Sequence, residues 1–394
     1  MTRKLIYCDA IADFRGIIAS PGALLLDGHL IVAAGTPSEI GVTELPHERV
    51  HGFVIPPFAN VHSHLDLSGV GNCLPEESFV SWFENTISPI RKKSSQEEIH
   101  AATAKGIELA IAGGTAMVGD IANTVSVAKQ VRESVLRGVS FVEVFGVGNY
   151  EQLAIAAIDA IPTEFGISPH APYSCGLKVF QKVFQSGRPA ATHLAEMPEE
   201  FDAVMRREGP LVALSKKIGA WNEEVKHWDN HPIDSIVEQL EQRKLIAAHL
   251  NYIEDRHLEQ LANSNLTVAY CPRASAYFGH ENHRYQEMLA HGVSVALGTD
   301  SLICLDTPDR ISVLDEMRFL YQQGGTDFSA LMNMATVQGA KALGEDPSLL
   351  TLEKGRVAGL LLLGSEAKTT SDQIMQSSDP PAWILPLLSK KQVF

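Results

Sequence analysis

VIPPFANVHSHLDLSG, residues 54–69, runs an apolar strand into two histidines one residue apart. On an extended strand residues i and i+2 point to the same face, so His62 and His64 project together. From about Pro56 onward, short apolar strands of this kind alternate with helix-length amphipathic segments. QEEIHAATAKGIELAIAGG (96–114), apolar at helical spacing and stopped by Gly113–Gly114, feeds the strand TAMVGDIA (115–122). The cycle repeats through VSFVEVFG (139–146), FGISPHAPYS (165–174), PAATHLAE (189–196), LIAAHLN (245–251), LTVAYCP (266–272) and VSVALGTDS (293–301). About eight strands, each followed by a helix or a helix-containing excursion, predict an α/β fold of the (β/α)8 TIM-barrel type. The rival, an open doubly wound sheet, is disfavoured because no glycine-rich phosphate turn follows any strand.

The flanks differ from this pattern. GALLLDGHLIVAAG (22–35) is two apolar runs around Asp27–Gly28, which predicts a hairpin. TLEKGRVAGLLLLG (351–364) reads as a turn and a buried strand returning to that N-terminal unit. The expected organisation is a small β-sandwich domain built from both termini, 1–55 plus 350–394, around a catalytic barrel at 56–349. SDQIMQSSDPPAW (371–383) reads as a surface segment.

The 394 residues carry 45% hydrophobic and 20% charged side chains, a composition that folds. A formal charge of −15 repels nucleic acid and anionic membrane at long range, so neither is expected as a partner. The sequence shows no bilayer-length apolar run and opens without a secretory apolar core, which predicts a cytoplasmic protein. Five scattered cysteines without a CxxC pair read as buried, reduced thiols.

Three further strand units end in metal-compatible groups: His193 in PAATHLAE, His249 in LIAAHLN and Asp300 in VSVALGTDS. A histidine or a carboxylate is costly to bury unpaired, so four strand ends delivering such groups to one rim point to a metal centre rather than to core packing. Imidazoles and a carboxylate suit a zinc-like cation.

The set HSH (62–64), HLAE (193–196), His249 and GTD (298–300) resembles the amidohydrolase superfamily, in its metal-dependent deaminase branch, and the likeness covers most of the chain. LEKG (352–355) resembles the family's return segment, although Gly359 stands where an acidic residue is more common. The resemblance implies that His62, His64, His193 and Asp300 hold one divalent ion, zinc before ferrous iron, which acidifies a water. It also implies that Glu196 relays protons, that His249 stabilises the developing charge, and that Asp300 accepts a proton from the nucleophile. Two-metal members use a bridging lysine on the fourth strand; TEFGISPHAPYS contains none, which favours the one-metal subtype. His170 in SPHAPYS matches a substrate-contacting histidine of the deaminases.

Within that branch HLDLS, FVSWF (79–83), GGTAMVGDI (113–121) and YCPRASAYFG (270–279) resemble the aminodeoxyfutalosine deaminases of an alternative menaquinone pathway. Arg273 either grips a substrate carboxylate or closes a structural salt bridge. Asp66 and Trp82 either bind substrate or brace the rim loops. Ala274–Ser275 and Ile303–Cys304 depart from the related pattern. The resulting expectation is a hydrolytic deaminase of an aminopurine nucleoside or related aminated heterocycle, acting on a small molecule and in the homodimeric state that many relatives adopt. The alternatives are a cyclic-amide or triazine hydrolase and an inactive metal-binding scaffold.

Overall fold

The computed structural model describes residues 3–41, 45–223, 228–364 and 370–390. The remaining residues of the expected small domain (1–2, 42–44, 365–369, 391–394) and of the barrel (224–227) lie outside them. An eight-stranded sheet pairs in chain order: β1 (Phe58–Ser63), β2 (Thr115–Ala122), β3 (Arg137–Val144), β4 (Gly166–Pro169), β5 (Ala190–Leu194), β6 (Leu245–His249), β7 (Leu266–Tyr270) and β8 (Ser294–Leu297). All the neighbours are parallel. Parallel strands wrapped by helices are buried on both faces, and β1, β2, β5 and β6 are buried throughout.

The ring closes where β8 meets β1. Ser63 bridges Asp300 in parallel, and the Thr299 and Asp300 amides both donate to the His62 carbonyl, at 2.9 and 3.0 Å. Gly298 makes this approach feasible, since a Cβ there would lie 2.8 Å from the His62 Cβ and 2.9 Å from the Cys271 Sγ. The sequence's helix at 96–114 forms as Gln96–Ala112, with Ser95 and Glu98 in a reciprocal capping box and Gly113 as its C-cap.

Two five-stranded sheets lie outside the ring, and both draw strands from each end of the chain. Gly22–Asp27 and Leu30–Gly35 form the expected hairpin, with Gly28 at φ +60° in the connection. Gly355–Arg356 returns to pair with Leu30 and Ile31, while Leu360–Leu363 pairs with Phe53–Ile55. Ile6, Leu24 and Ile31 of one sheet pack with Ile11, Val54 and Leu360 of the other, giving a sandwich core.

The segment 371–383 is not a loose surface tail. Ser371–Met375 is helical with Ile374 and Met375 fully buried, and Ala382–Leu385 pairs with Leu360–Leu363. Arg318 donates to the carbonyls of Ile374 and Asp379, and Arg310 donates to that of Ser378. Trp383 explains Gly359, because a Cβ at 359 would lie 2.6 Å from its ring. Among the described residues no helix is long and apolar enough to cross a membrane. The five cysteines are free thiols, four of them buried.

Candidate active site

The ends of β1, β5, β6 and β8 bring the predicted donors together. One donor atom each from His62, His193 and His249 lies within 4.8 Å of the others, and the same holds for His62, His64 and Asp300. His64 Nε2 is 3.2 Å from His193 Nε2 and 3.5 Å from Asp300 Oδ1, and His62 Nε2 is 3.9 Å from that oxygen. All five groups are buried. The backbone is forced there: His249 and Asp300 hold left-handed φ of 73° and 57°, and Ala195, two residues past His193, holds 49°. Non-glycine residues pay for such conformations, which persist where the surrounding structure over-determines them.

The protonation states favour a cation. His193 donates Nδ1–H to the His170 carbonyl at 2.9 Å, which leaves the Nε2 lone pair facing His64. Both ring nitrogens of His62, Nδ1 of His64 and Nε2 of His249 are buried without a hydrogen-bond partner. Burial, reinforced by neighbouring imidazoles, lowers His62, His64 and His249 well below the usual histidine range, and burial holds His193 at about 4. Burial also raises Asp300 to about 6. Neutral imidazoles and a carboxylate with no protein donor between them fit a divalent ion, which would supply the missing positive charge.

Glu196 lies beside this cluster, with Oε1 3.6 Å from His249 Nε2. Burial, then Asp300 and Glu200, raise its carboxyl well above the usual range. Its backbone is pinned on both sides. Glu200 accepts from the Ala195 and Glu196 amides at 3.0 and 3.4 Å, while Asn251 Nδ2 donates to the Glu196 carbonyl at 2.9 Å. Ser275 in turn donates to Asn251 Oδ1 at 2.9 Å. His283 donates to the His249 carbonyl at 2.8 Å, and its ring stacks on Tyr270 at 3.7 Å. Glu200, Asn251, Ser275 and His283 escaped the sequence reading. For Glu200 the one signal was its i+4 spacing from Glu196.

Among the expected substrate contacts, His170 is at the cluster, with its ring 4.8 Å from that of His193 and Nδ1 2.6 Å from Ser174 Oγ. Arg273 takes the structural alternative. Its Nε donates to Glu316 at 2.7 Å and its Nη1 to Asp306 and Thr307 at 2.8 and 3.0 Å, which leaves no fork for a substrate carboxylate. Asp66 braces the rim, since both its oxygens accept from the Arg91 guanidinium. Trp82 packs in an apolar rim cluster with Leu67, Cys271, Ala274, Ile303 and Cys304.

A second group, His231, Asp234 and His257, also gathers donor atoms within 4.8 Å. Here the tautomer points the other way. The Glu254 amide donates to His257 Nδ1 at 3.0 Å, so the neutral ring carries its proton on Nε2, 3.4 Å from Asp234 Oδ1. His231 Nδ1 likewise accepts from the Ile233 amide at 3.3 Å, and Arg256 holds the other Asp234 oxygen. Both histidines serve as helix caps.

The chain is similar to several known proteins. The 5-methylthioadenosine/S-adenosylhomocysteine deaminase of Pyrococcus furiosus is 28% identical over 336 residues, covering 79% of this chain and 74% of that protein. The aminodeoxyfutalosine deaminase of Deinococcus radiodurans is 26% identical over 379 residues, 86% of each. The Helicobacter pylori aminofutalosine deaminase in complex with methylthio-coformycin superposes with a TM-score of 0.78 at 18% identity, over 97% of this chain and 98% of that one, a likeness of fold. The model of the amidohydrolase family matches residues 53–388, most of the sequence, and the chain therefore belongs to that metal-dependent family.

Proposed function

We propose that the protein is a one-metal hydrolytic deaminase that converts an aminopurine nucleoside or a related aminated heterocycle to its oxo form and ammonia. The observation that carries the reading is the meeting of a buried Glu196, its carboxyl raised by burial, with the clustered metal-competent groups of His62, His64, His193 and Asp300. Those four residues would hold the ion, zinc by donor chemistry, and the ion supplies Lewis acidity and an acidified water. Residues 56–349 would form the catalytic unit of a cytoplasmic enzyme.

The chain's own residues then manage the protons. As the water oxygen bonds to the amine-bearing ring carbon, Asp300 accepts the water's proton and Glu196 protonates the adjacent ring nitrogen. His249, whose Nε2 faces Glu196, steadies the charge developing on the oxygen. As the tetrahedral carbon collapses, Asp300 returns its proton to the exocyclic nitrogen, ammonia leaves, and the hydroxyl proton goes to Glu196, so that the ring keeps a carbonyl. The pinned backbone of Glu196 holds its carboxyl in place through the cycle.

The test is Glu196→Gln. Ammonia release from adenosine, S-adenosylhomocysteine and aminodeoxyfutalosine should fall by about 10²–10⁴-fold with metal content unchanged. Unchanged turnover would overturn the assignment.

A further inference from the structure

The end of the barrel opposite the metal-competent cluster also opens to solvent. His193 and His249 stand at the C-terminal ends of β5 and β6, whereas a cavity of about 240 Å³ is lined by the first residues of the same strands, Ala190 and Leu245. Its walls include the buried Phe141, Ile246 and Leu343 and the half-buried Val139 and Ala342. Gly187 and Gly344 border it as well, and a Cβ on either would meet no atom within 4 Å, so its edge is open on those sides. An apolar cavity of roughly 150 Å³ is enough to hold benzene. This one has room for an aromatic ring or a short aliphatic chain with a substituent.

Three cations line the same cavity: Arg188, Arg243 and Lys244. Arg188 is fixed by neutral acceptors alone. Its Nε and Nη2 donate to the Phe165 carbonyl at 3.0 and 2.6 Å, Nη1 to that of Ile161 at 3.0 Å, and Nη2 also to that of Pro162 at 2.9 Å. These bonds orient the guanidinium without neutralising it and leave one Nη1 proton unused. Lys244 is exposed and has no ion-pair partner among the described residues. Arg243 holds Glu241 at 2.8 Å, but that carboxylate is 68% exposed and well screened. Glu345, next to Gly344, is taken up by Arg137 at 2.9 Å and by the Gly138 amide at 3.1 Å. In a chain of formal charge −15, an apolar cavity lined by three cations is complementary to an anion with an apolar body.

We infer that the N-terminal end of the barrel binds a small organic carboxylate, whose aromatic or aliphatic body fills the cavity while its anionic end meets Arg188, Arg243 and Lys244. The site lies at the other end of β5 and β6 from the metal-competent donors, so the inference is independent of the deaminase reading. Burial of the apolar body supplies the affinity, and the three cations supply the selection for a negative charge.

The test uses the zinc-loaded full chain, titrated by calorimetry with 3-phenylpropanoate and with the uncharged 3-phenylpropanamide. The acid should bind one equivalent per chain and about fivefold or more tightly than the amide, the gain expected from partly exposed ion pairs. Added salt should shrink that preference. Two variants locate the site. Arg243→Gln combined with Lys244→Gln changes only partly or fully exposed side chains and should bring acid and amide to within about twofold of each other. Ala342→Phe, in the last turn of the helix Val337–Ala342, fills the cavity and should weaken both ligands by about tenfold or more. Arg188 is left in place, because its bonds to three carbonyls hold the chain around it. If Ala342→Phe fails to fold, the charge variant decides alone. Equal affinity of the parent protein for acid and amide, a preference that survives the charge variant, acid binding unchanged by Ala342→Phe, or no uptake of the acid at millimolar concentration would overturn the site. A parent dimer that Ala342→Phe dissociates in sedimentation would give the cavity to a second copy of the chain and would overturn it too.

Discussion

The barrel mouth and the seams between the helices both hold charged and imidazole groups, yet they orient the imidazoles differently. At the mouth, His62, His64 and His249 have ring nitrogens with no partner, and His193 is oriented through its Nδ1 so that Nε2 stays open. In the seam between the helices Pro232–Leu240 and Asp255–Ala262, His231 and His257 turn Nδ1 to backbone amides and Asp234 meets Arg256. Arg273 and Glu316 form a fully buried seam pair of the same kind. Two imidazoles near a carboxylate therefore do not by themselves make a metal centre. What the second nitrogen of each ring does decides whether the first can bind a cation.

This contrast can be broken by substitution. The largest effect is expected at the mouth, where His193→Ala should abolish bound metal and ammonia release, as elemental analysis and activity assays would show. Its fold should survive, because the side chain gives up one hydrogen bond to the protein backbone, that to the His170 carbonyl. If the variant keeps a full metal complement, the mouth is not the ligand set.

In the seams the loss should fall on stability. Arg273→Ala strands the Glu316 carboxylate and should cost about 3–5 kcal/mol in urea unfolding. It should leave the preference among substrates unchanged; a selective loss of carboxylate-bearing substrates would restore Arg273 to the binding site.

Glu200 stands between the two regions, serving the mouth through backbone amides alone. Burial raises its carboxyl from 4.5 to about 7. A raised folded pKa means that the native state binds the extra proton, so this contribution to stability is full below the unfolded value and is lost as pH rises through about 7. Relative to wild type, Glu200→Gln should gain on the order of 2–3 kcal/mol between pH 5 and pH 8. A pH-independent difference would contradict it.

The smallest effect belongs to His257→Ala, which removes a reciprocal cap and should cost about 1 kcal/mol, with metal content at the wild-type level. Loss of an ion in that variant would erase the distinction between the two regions.

How much of this was legible in the sequence depended on range. The alternation of strand and helix, and the donors that end strands, are local patterns, so His62, His64, His193, His249 and Asp300 could be picked out with the barrel. The groups that hold them could not. Ser275 reaches Glu196 only through Asn251, 24 residues away in the chain, and His283 acts on a backbone carbonyl. Arg273 showed a guanidinium suited to a carboxylate, but nothing local indicated that Glu316, 43 residues on, would take it. The polar composition of 371–383 concealed the buried Ile374 and Met375 and the start of a strand, because its partners Arg318 and Leu360–Leu363 come from elsewhere.

The most direct test of the account is a titration. Protein stripped by chelator is given zinc in sub-stoichiometric steps while ammonia release from the adenine nucleosides is followed. The account predicts no release without metal and a linear rise that saturates at one equivalent per chain. Full activity in the stripped protein, or saturation only at two equivalents, would contradict it.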